Sequence, residues 1–412
     1  MDRQQVELCG SMWQVVCFLC CIALAAAALV VPQPDVETTP GWEVDSEETS
    51  SAPELNLDDF YDYEGMMKYL RNLTEAECCL VNYQTLAYTS EQRAVVQVTI
   101  SEEQETANKK VIIVDAATHG NEWITTTVAL KIINELVVNS VENVQLLHAY
   151  DWYILPMVNP DGYEYSMREK LKLWKKNRST NGGQYGTNLN RNYDTHWNAT
   201  QPPAPSQSQD YAGSKAFSEP ETEAIGSLMR RLVATDRQFL YISLHTENKS
   251  IFYPSVYDSK PTPSDGLLHA IAQFASAAIY ERTGSVYVPG LAHGYHGVGG
   301  TSLDYAYDIG IPLAFSFELP ETRSEAENKT TFICNQANEG WQGVKQLALG
   351  ALEKYGNSTA NNISSITTTS GPAANYTSTT SAPATNDASR CVLASWSLAA
   401  LLACLCAAAM IK

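Results

Sequence analysis

Val111-Ile112-Ile113-Val114-Asp115-Ala116-Ala117-Thr118-His119-Gly120-Asn121-Glu122-Trp123 begins as an unbroken apolar run and ends in a histidine and a glutamate three positions apart. Aliphatic residues without polar alternation predict a strand covered on both faces, in the middle of a sheet. The polar pair comes where that strand would end, and apolar residues at helical spacing follow over 123–138. A buried strand running into a helix is the repeating unit of an open α/β sheet. Such sheets carry their sites at the strand ends.

Outward from this stretch the same alternation recurs. Apolar residues at helical spacing over 57–70 predict the opening helix of the folded domain. Residues 93–100 and 110–116 read as strands, and 152–158 as a further buried strand ending in Asn159-Pro160-Asp161-Gly162, a turn signal. Helices are predicted over 219–233, 267–282 and 335–354, and strands over 239–244 and 313–319. The expected fold class is α/β: a single domain with a mixed, mostly buried central β-sheet flanked by helices. No internal repeat is evident.

His119 and Glu122 could bind one ion from the junction of strand and helix, although isolated pairs at this spacing often serve as caps or surface pairs. His245 ends a second buried strand. Glu318 sits inside the apolar strand Leu313-Ala-Phe-Ser-Phe-Glu318-Leu. There a carboxylate is costly unless paired or functional, unless strand alternation turns it to solvent. Two imidazoles and one carboxylate make an open metal site with a fourth corner left for water. A rival pair, His293 and His296, lies in the glycine-flanked segment 291–300, read as a flexible loop.

The formal net charge of -19 excludes a basic stripe of the kind that neutralises phosphates, so no nucleic acid is expected as partner. Much of the acidity lies over 35–64, read as a solvated leader. Residues 1–31 contain an apolar stretch (12–31) behind Arg3, with small residues at 25–28 for cleavage. This predicts a signal peptide, with an uncleaved anchor as the alternative. Residues 32–55 read as an acidic linker, 56–355 as the folded domain and 356–389 as a Ser/Thr-rich stalk. The tail, 390–412, is apolar over 392–411 and ends at Lys412. It reads as a glycosylphosphatidylinositol (GPI) signal with small attachment residues over 378–386, or else as a single transmembrane helix.

Sequons at Asn72, Asn177, Asn198, Asn248, Asn328, Asn357, Asn362 and Asn375 agree with secretion by their density. The expected location is the extracellular face of the plasma membrane. Cys78, Cys79 and Cys334 are the cysteines of the folded part, allowing one bridge with one thiol left over.

Beyond these readings, ordered motifs carry a family resemblance. They are His119-Gly-Asn-Glu122-Trp, Asn159-Pro-Asp-Gly-Tyr, Leu173-Trp174-Lys175-Lys176-Asn177-Arg178, Asn188-Leu-Asn190-Arg191-Asn, His245, Gly299-Gly300-Thr-Ser-Leu303-Asp304 and Phe317-Glu318-Leu. Over 57–354 the chain resembles the zinc carboxypeptidases of the pancreatic carboxypeptidase A/B type. The resemblance implies a hydrolase that removes residues from peptide C-termini, with one zinc per chain held by His119, Glu122 and His245. It makes Glu318 the general base toward the zinc-bound water. It assigns the grip on the substrate carboxylate to Asn190 and Arg191, and puts Asn121 among the substrate-binding residues. Tyr295 would be the tyrosine that closes over substrate, with His296 competing because this loop carries one extra residue.

Three departures qualify the resemblance. Lys175 stands where the family usually has the arginine that polarises the scissile carbonyl; it supplies charge without a planar fork. The implied alternative is a catalytically attenuated protein that binds peptide C-termini. Glu247 replaces a common tyrosine and could alter the subsites preceding the scissile bond. Leu303 holds the position that sets side-chain preference. With uncharged Val256 and Ser316 nearby, it implies apolar or aromatic C-terminal residues. Finally, 31–55 is too short and polar for the globular inhibitory propeptide common in secreted relatives, so activity without a zymogen stage is expected.

Overall fold

The apolar runs do become the centre of a sheet. The computed structural model describes residues 52–358 apart from 103–108, 182–183, 200–202, 236, 238, 259, 293–296 and 322–327. In chain order the described elements begin with helix α1 (Tyr63–Ala76), strands β1 (Val81–Tyr88), β2 (Ala94–Ile100) and β3 (Lys110–Asp115), and helix α2 (Trp123–Val137). Helix α3 (Val144–Ala149), strand β4 (Tyr150–Leu155) and helix α4 (Pro160–Arg168) lead to the short strands β5 (Thr180–Asn181) and β6 (Gln184–Tyr185). Helix α5 (Pro220–Val233) then feeds β7 (Phe239–Glu247) and β8 (Ser250–Tyr253). Helix α6 (Asp265–Thr283), strand β9 (Val288–Leu291), helix α7 (Ser302–Asp308), strand β10 (Leu313–Pro320) and helix α8 (Lys329–Ser358) complete the order.

Among the described residues the main sheet has eight strands in the order β1-β2-β4-β3-β7-β10-β8-β9. Its middle, β4-β3-β7-β10, is parallel, while β1 and β2 pair antiparallel to their neighbours and β8 runs antiparallel to β10 but parallel to β9. The sheet is mixed and largely covered, as expected. One face carries Ile112, Val114, Ile242, Leu244, Phe315 and Phe317 under α1, α2, α6 and α8. The other carries Val111, Ile113, Tyr241 and Ala314 under α5 and α7. Each fully buried aliphatic or aromatic side chain contributes about 1.5–3 kcal/mol, so the two-sided cover fixes the register of the four central strands. That register brings the C-terminal ends of β3, β7 and β10 to one edge.

Several elements differ from the sequence reading. The opening helix starts at Tyr63 rather than 57, because the Asp62 side chain caps it by accepting from Gly65 N at 2.7 Å. The Asn159-Pro-Asp-Gly segment is a helix start, not a turn. Asn159 Oδ1 accepts from Gly162 N at 2.9 Å, and Pro160 occupies the first turn of α4, where its missing N–H costs nothing. The strand expected over 152–158 is shifted to Tyr150–Leu155, and the closing helix is longer at both ends. Strand β1 lay hidden in the sequence since its exposed edge positions, among them Asn82, Gln84 and Thr85, dilute its apolar signal.

The sequon at Asn177 is also corrected. Asn177 is fully buried, and its Nδ2 donates to Glu219 Oε2 at 2.8 Å and toward Glu221 at 3.3 Å. No glycan can reach it in the folded protein, whereas Asn72, Asn248 and Asn328 are exposed.

Burial pushes the Glu221 carboxyl up to about 8, with neighbouring Glu219 adding to the effect and the Asn177 contact opposing it. As pH rises from about 4.5 toward 8, the unfolded chain loses this proton and the native state keeps it. Stability therefore falls across that window, by at most about 1.4 kcal/mol per pH unit for this group. Glu221→Gln should flatten the decline of melting temperature between pH 5 and pH 8. Parallel parent and variant curves would refute the assignment.

Candidate metal centre and substrate cleft

His119 lies just beyond β3 and Glu122 immediately precedes the first residue of α2, so one strand–helix junction supplies two groups. Its tightness depends on Gly120, whose Cβ, if present, would lie 2.5 Å from the Gly162 carbonyl oxygen. His245 sits on β7, and parallel pairing sets Glu318 of β10 directly beside it. Strand alternation does not turn Glu318 to solvent, the alternative its strand left open. Glu318 is 7 % exposed and lies on the same face as His245.

Ligand atoms of His119, Glu122 and His245 all lie within 4.8 Å of one another. His119 Nδ1 is 2.9 Å from Glu122 Oε1, and His245 Nδ1 is 2.9 Å from Glu122 Oε2. Burial would raise the Glu122 pKa, but the two imidazoles hold it well below the usual carboxylate range. Burial alone would discharge His245, yet Glu122 pushes it up to about 9. His119 is lowered by burial, with Lys175 contributing. Two imidazole nitrogens and an anionic carboxylate facing one buried point fit zinc's preferred donors. Among the described residues no other group of three such donors converges.

Glu318 is chemically distinct from that trio. Burial pushes its pKa up to about 7, while His245 and a 2.6 Å hydrogen bond from Ser316 Oγ pull the other way. A carboxyl balanced near neutrality can take and return a proton.

These groups line one cleft together with Lys175, Asn190, Arg191 and Leu303. Lys175 is half-buried and held from both sides. Its N–H donates to Gln209 Oε1 at 2.9 Å, and its carbonyl accepts from Gly120 N at 3.0 Å. Arg191 closes a short 3₁₀ turn capped by Asn188. Its Nη1 donates to the Asn190 carbonyl at 2.9 Å and Nη2 to Asp210 at 3.3 Å. Burial lowers its pKa, against support from Asp210 and Glu247. Gly300, at φ +73°, has its would-be Cβ 2.1 Å from the Arg191 carbonyl oxygen. Only glycine permits that approach, which seats the Gly299-Gly300 segment against Arg191. Asn190 Oδ1 accepts from Ser302 N at 2.9 Å, tying this turn to α7.

Leu303, Val256 and Phe252 form an apolar part of the wall. The adjacent Asp304 does not join them, since its carboxylate accepts from Val256 N and Tyr257 N at 2.8 Å each. Asn121 is not brought into the cleft lining. Its Nδ2 instead donates to the Lys172 carbonyl at 2.9 Å, anchoring the loop that bears Lys175. Tyr295, His293 and His296 lie outside the described residues. The sequence reading missed Asp115, Ser243 and Asp210. The first two were detectable as polar interruptions of continuous apolar strands; Asp210 carries no local signal.

The sequence profile described as zinc carboxypeptidase matches residues 66–343. Carboxypeptidase B of Helicoverpa zea is 31 % identical over 306 residues, spanning 71 % of this chain and 70 % of that protein. Human carboxypeptidase O is 30 % identical over 262 residues, 62 % of this chain and 69 % of its own. Among solved structures, carboxypeptidase A from Helicoverpa armigera superposes with a TM-score of 0.68 at 28 % identity, covering 75 % of this chain and 77 % of its own.

Proposed function

The chain belongs to the zinc carboxypeptidase family, and from that premise we propose that it removes apolar or aromatic residues from peptide C-termini. The observation carrying this reading is one cleft lined by three metal-fit ligands, a buried carboxyl near neutrality, a half-buried guanidinium and Leu303. Zinc, when bound by His119, Glu122 and His245, supplies a Lewis acid and makes a water more acidic.

In this mechanism Arg191 grips the terminal carboxylate through a bidentate contact, which restricts cleavage to the last peptide bond. Asn190 orients that turn and Leu303 accepts the terminal side chain. Glu318 takes a proton from the attacking water and returns it to the leaving amine, so its net protonation is unchanged over the cycle. Lys175 faces the carbonyl oxygen as negative charge grows there. The support for apolar preference is that Leu303, Val256 and Phe252 share the wall, while Asp304 is tied to backbone. Comparing release of Phe and Lys from otherwise identical peptides tests it: faster Phe release agrees, and faster Lys release overturns the specificity.

Lys175→Arg should raise kcat about tenfold or more, since a planar fork adds one charge-assisted hydrogen bond, worth about 1.5–3 kcal/mol. An unchanged rate would remove Lys175 from this role. No release from any peptide, with binding retained, would favour the second reading, a binder of peptide C-termini.

The segments read as signal peptide (1–31) and tail (390–412) lie outside the described residues, as do most of the linker (32–55) and of the stalk (356–389). The proposal keeps the extracellular, GPI-tethered enzyme suggested by their composition. Release from cells by a phosphoinositide-specific phospholipase supports the GPI anchor, and retention supports a transmembrane helix.

A further inference from the structure

Behind His245, on the side away from Glu122, a buried polar chain crosses two strands. Parallel register pairs Asp115 of β3 with Ser243 of β7, and Ser243 precedes His245 by two residues. Strand alternation therefore places all three side chains on one face. Asp115 is fully buried and Ser243 is 1 % exposed. Asp115 Oδ1 accepts from Ser243 Oγ at 2.6 Å, Oδ2 accepts from the Tyr241 hydroxyl, and Ser243 Oγ lies 3.0 Å from His245 Nε2.

A hydroxyl has one proton to donate and lone pairs to accept. With the Ser243 proton directed at Asp115, only a lone pair faces His245, so Nε2 must carry the imidazole N–H. In the neutral imidazole that a metal ligand must be, Nδ1 is then unprotonated and its lone pair is free for the metal position it shares with Glu122. The competing neighbour, Asn190 Nδ2, stands at 3.4 Å, beyond the usual range for such bonds. It is a donor, and could not satisfy an N–H. His119 has no comparable support: its Nε2 is buried without a hydrogen-bond partner among the described residues.

We propose that Asp115 and Ser243 form a relay that fixes the tautomer and orientation of His245, and thereby sets the protein's zinc affinity. Both are positioning residues. The inference rests on the reading that His119, Glu122 and His245 hold zinc. Groups behind a ligating histidine typically change metal affinity by about 10- to 100-fold when removed.

The test is metal binding by the purified protein, measured by competition with a chromogenic chelator and by the visible spectrum of the cobalt-substituted form. Ser243→Ala should weaken zinc about 10- to 100-fold and alter the cobalt bands. Tyr241→Phe is the control. It removes a hydrogen bond from the same buried carboxylate, and so shares any general loss of stability, but leaves the relay to His245 intact. It should hold zinc within about twofold of the parent, because nothing in the relay is removed. If Ser243→Ala binds zinc like the parent, or both variants weaken it equally, the relay is refuted. If the parent itself fails to bind zinc, the ligand assignment falls instead.

Discussion

Glu318→Gln lowers kcat by about 10²- to 10⁴-fold, the usual contribution of a positioned general base, while zinc content stays at the parent level. The amide keeps the volume of the carboxyl and an oxygen that can accept the 2.6 Å hydrogen bond from Ser316, so packing on β10 is preserved. Glu318 lies outside the converging donor trio, and its removal leaves all three in place. What disappears is the proton acceptor in the cleft, a group that burial has pushed up to about 7. Steady-state kinetics with a metal determination separates these effects. A kcat within tenfold of the parent would show that the proton passes elsewhere.

Arg191→Ala should cost about 2–5 kcal/mol of transition-state binding, the range for breaking a buried charged contact, or about 30- to 5,000-fold in kcat/KM. Guanidinium has five N–H donors, and the structure assigns Nη1 to the Asn190 carbonyl and Nη2 to Asp210. Capacity remains for a bidentate hold on a carboxylate. The loss should be specific to substrates with a free terminus. A C-terminally amidated peptide, already poor for the parent, should lose much less. Equal losses on both would mean that Arg191 supports the fold of the cleft rather than recognising charge. Arg191→Lys, which keeps charge without the fork, should fall between parent and alanine.

The central sheet was legible because β3, β7 and β10 are buried on both faces and their sequences are correspondingly continuous in apolar residues. The outer strands obey a weaker rule. Strand β1 is half-solvated, and β8 and β9 span only Ser250–Tyr253 and Val288–Leu291, too short to show a period. The Asn159 motif misled because the chemistry that closes a turn, a side-chain oxygen accepting from a backbone N–H, also caps a helix.

At the site, His119, Glu122, His245 and Glu318 follow or end buried strands, so their convergence at one edge was implied by the strand pattern. Long-range partners were not. Asp210 reaches Arg191 across a loop, and Asn121 turns to the Lys172 carbonyl rather than the cleft. Nothing in local sequence specifies either contact. The Asn177 sequon failed for a related reason, since burial beside Glu219 and Glu221 is a tertiary fact.

The most direct measurement is zinc content against C-terminal residue release on one preparation, before chelation, after chelation and after zinc is restored. The expected result is one zinc per chain, loss of release on chelation and recovery with zinc. Undiminished release by the metal-free protein would contradict the account.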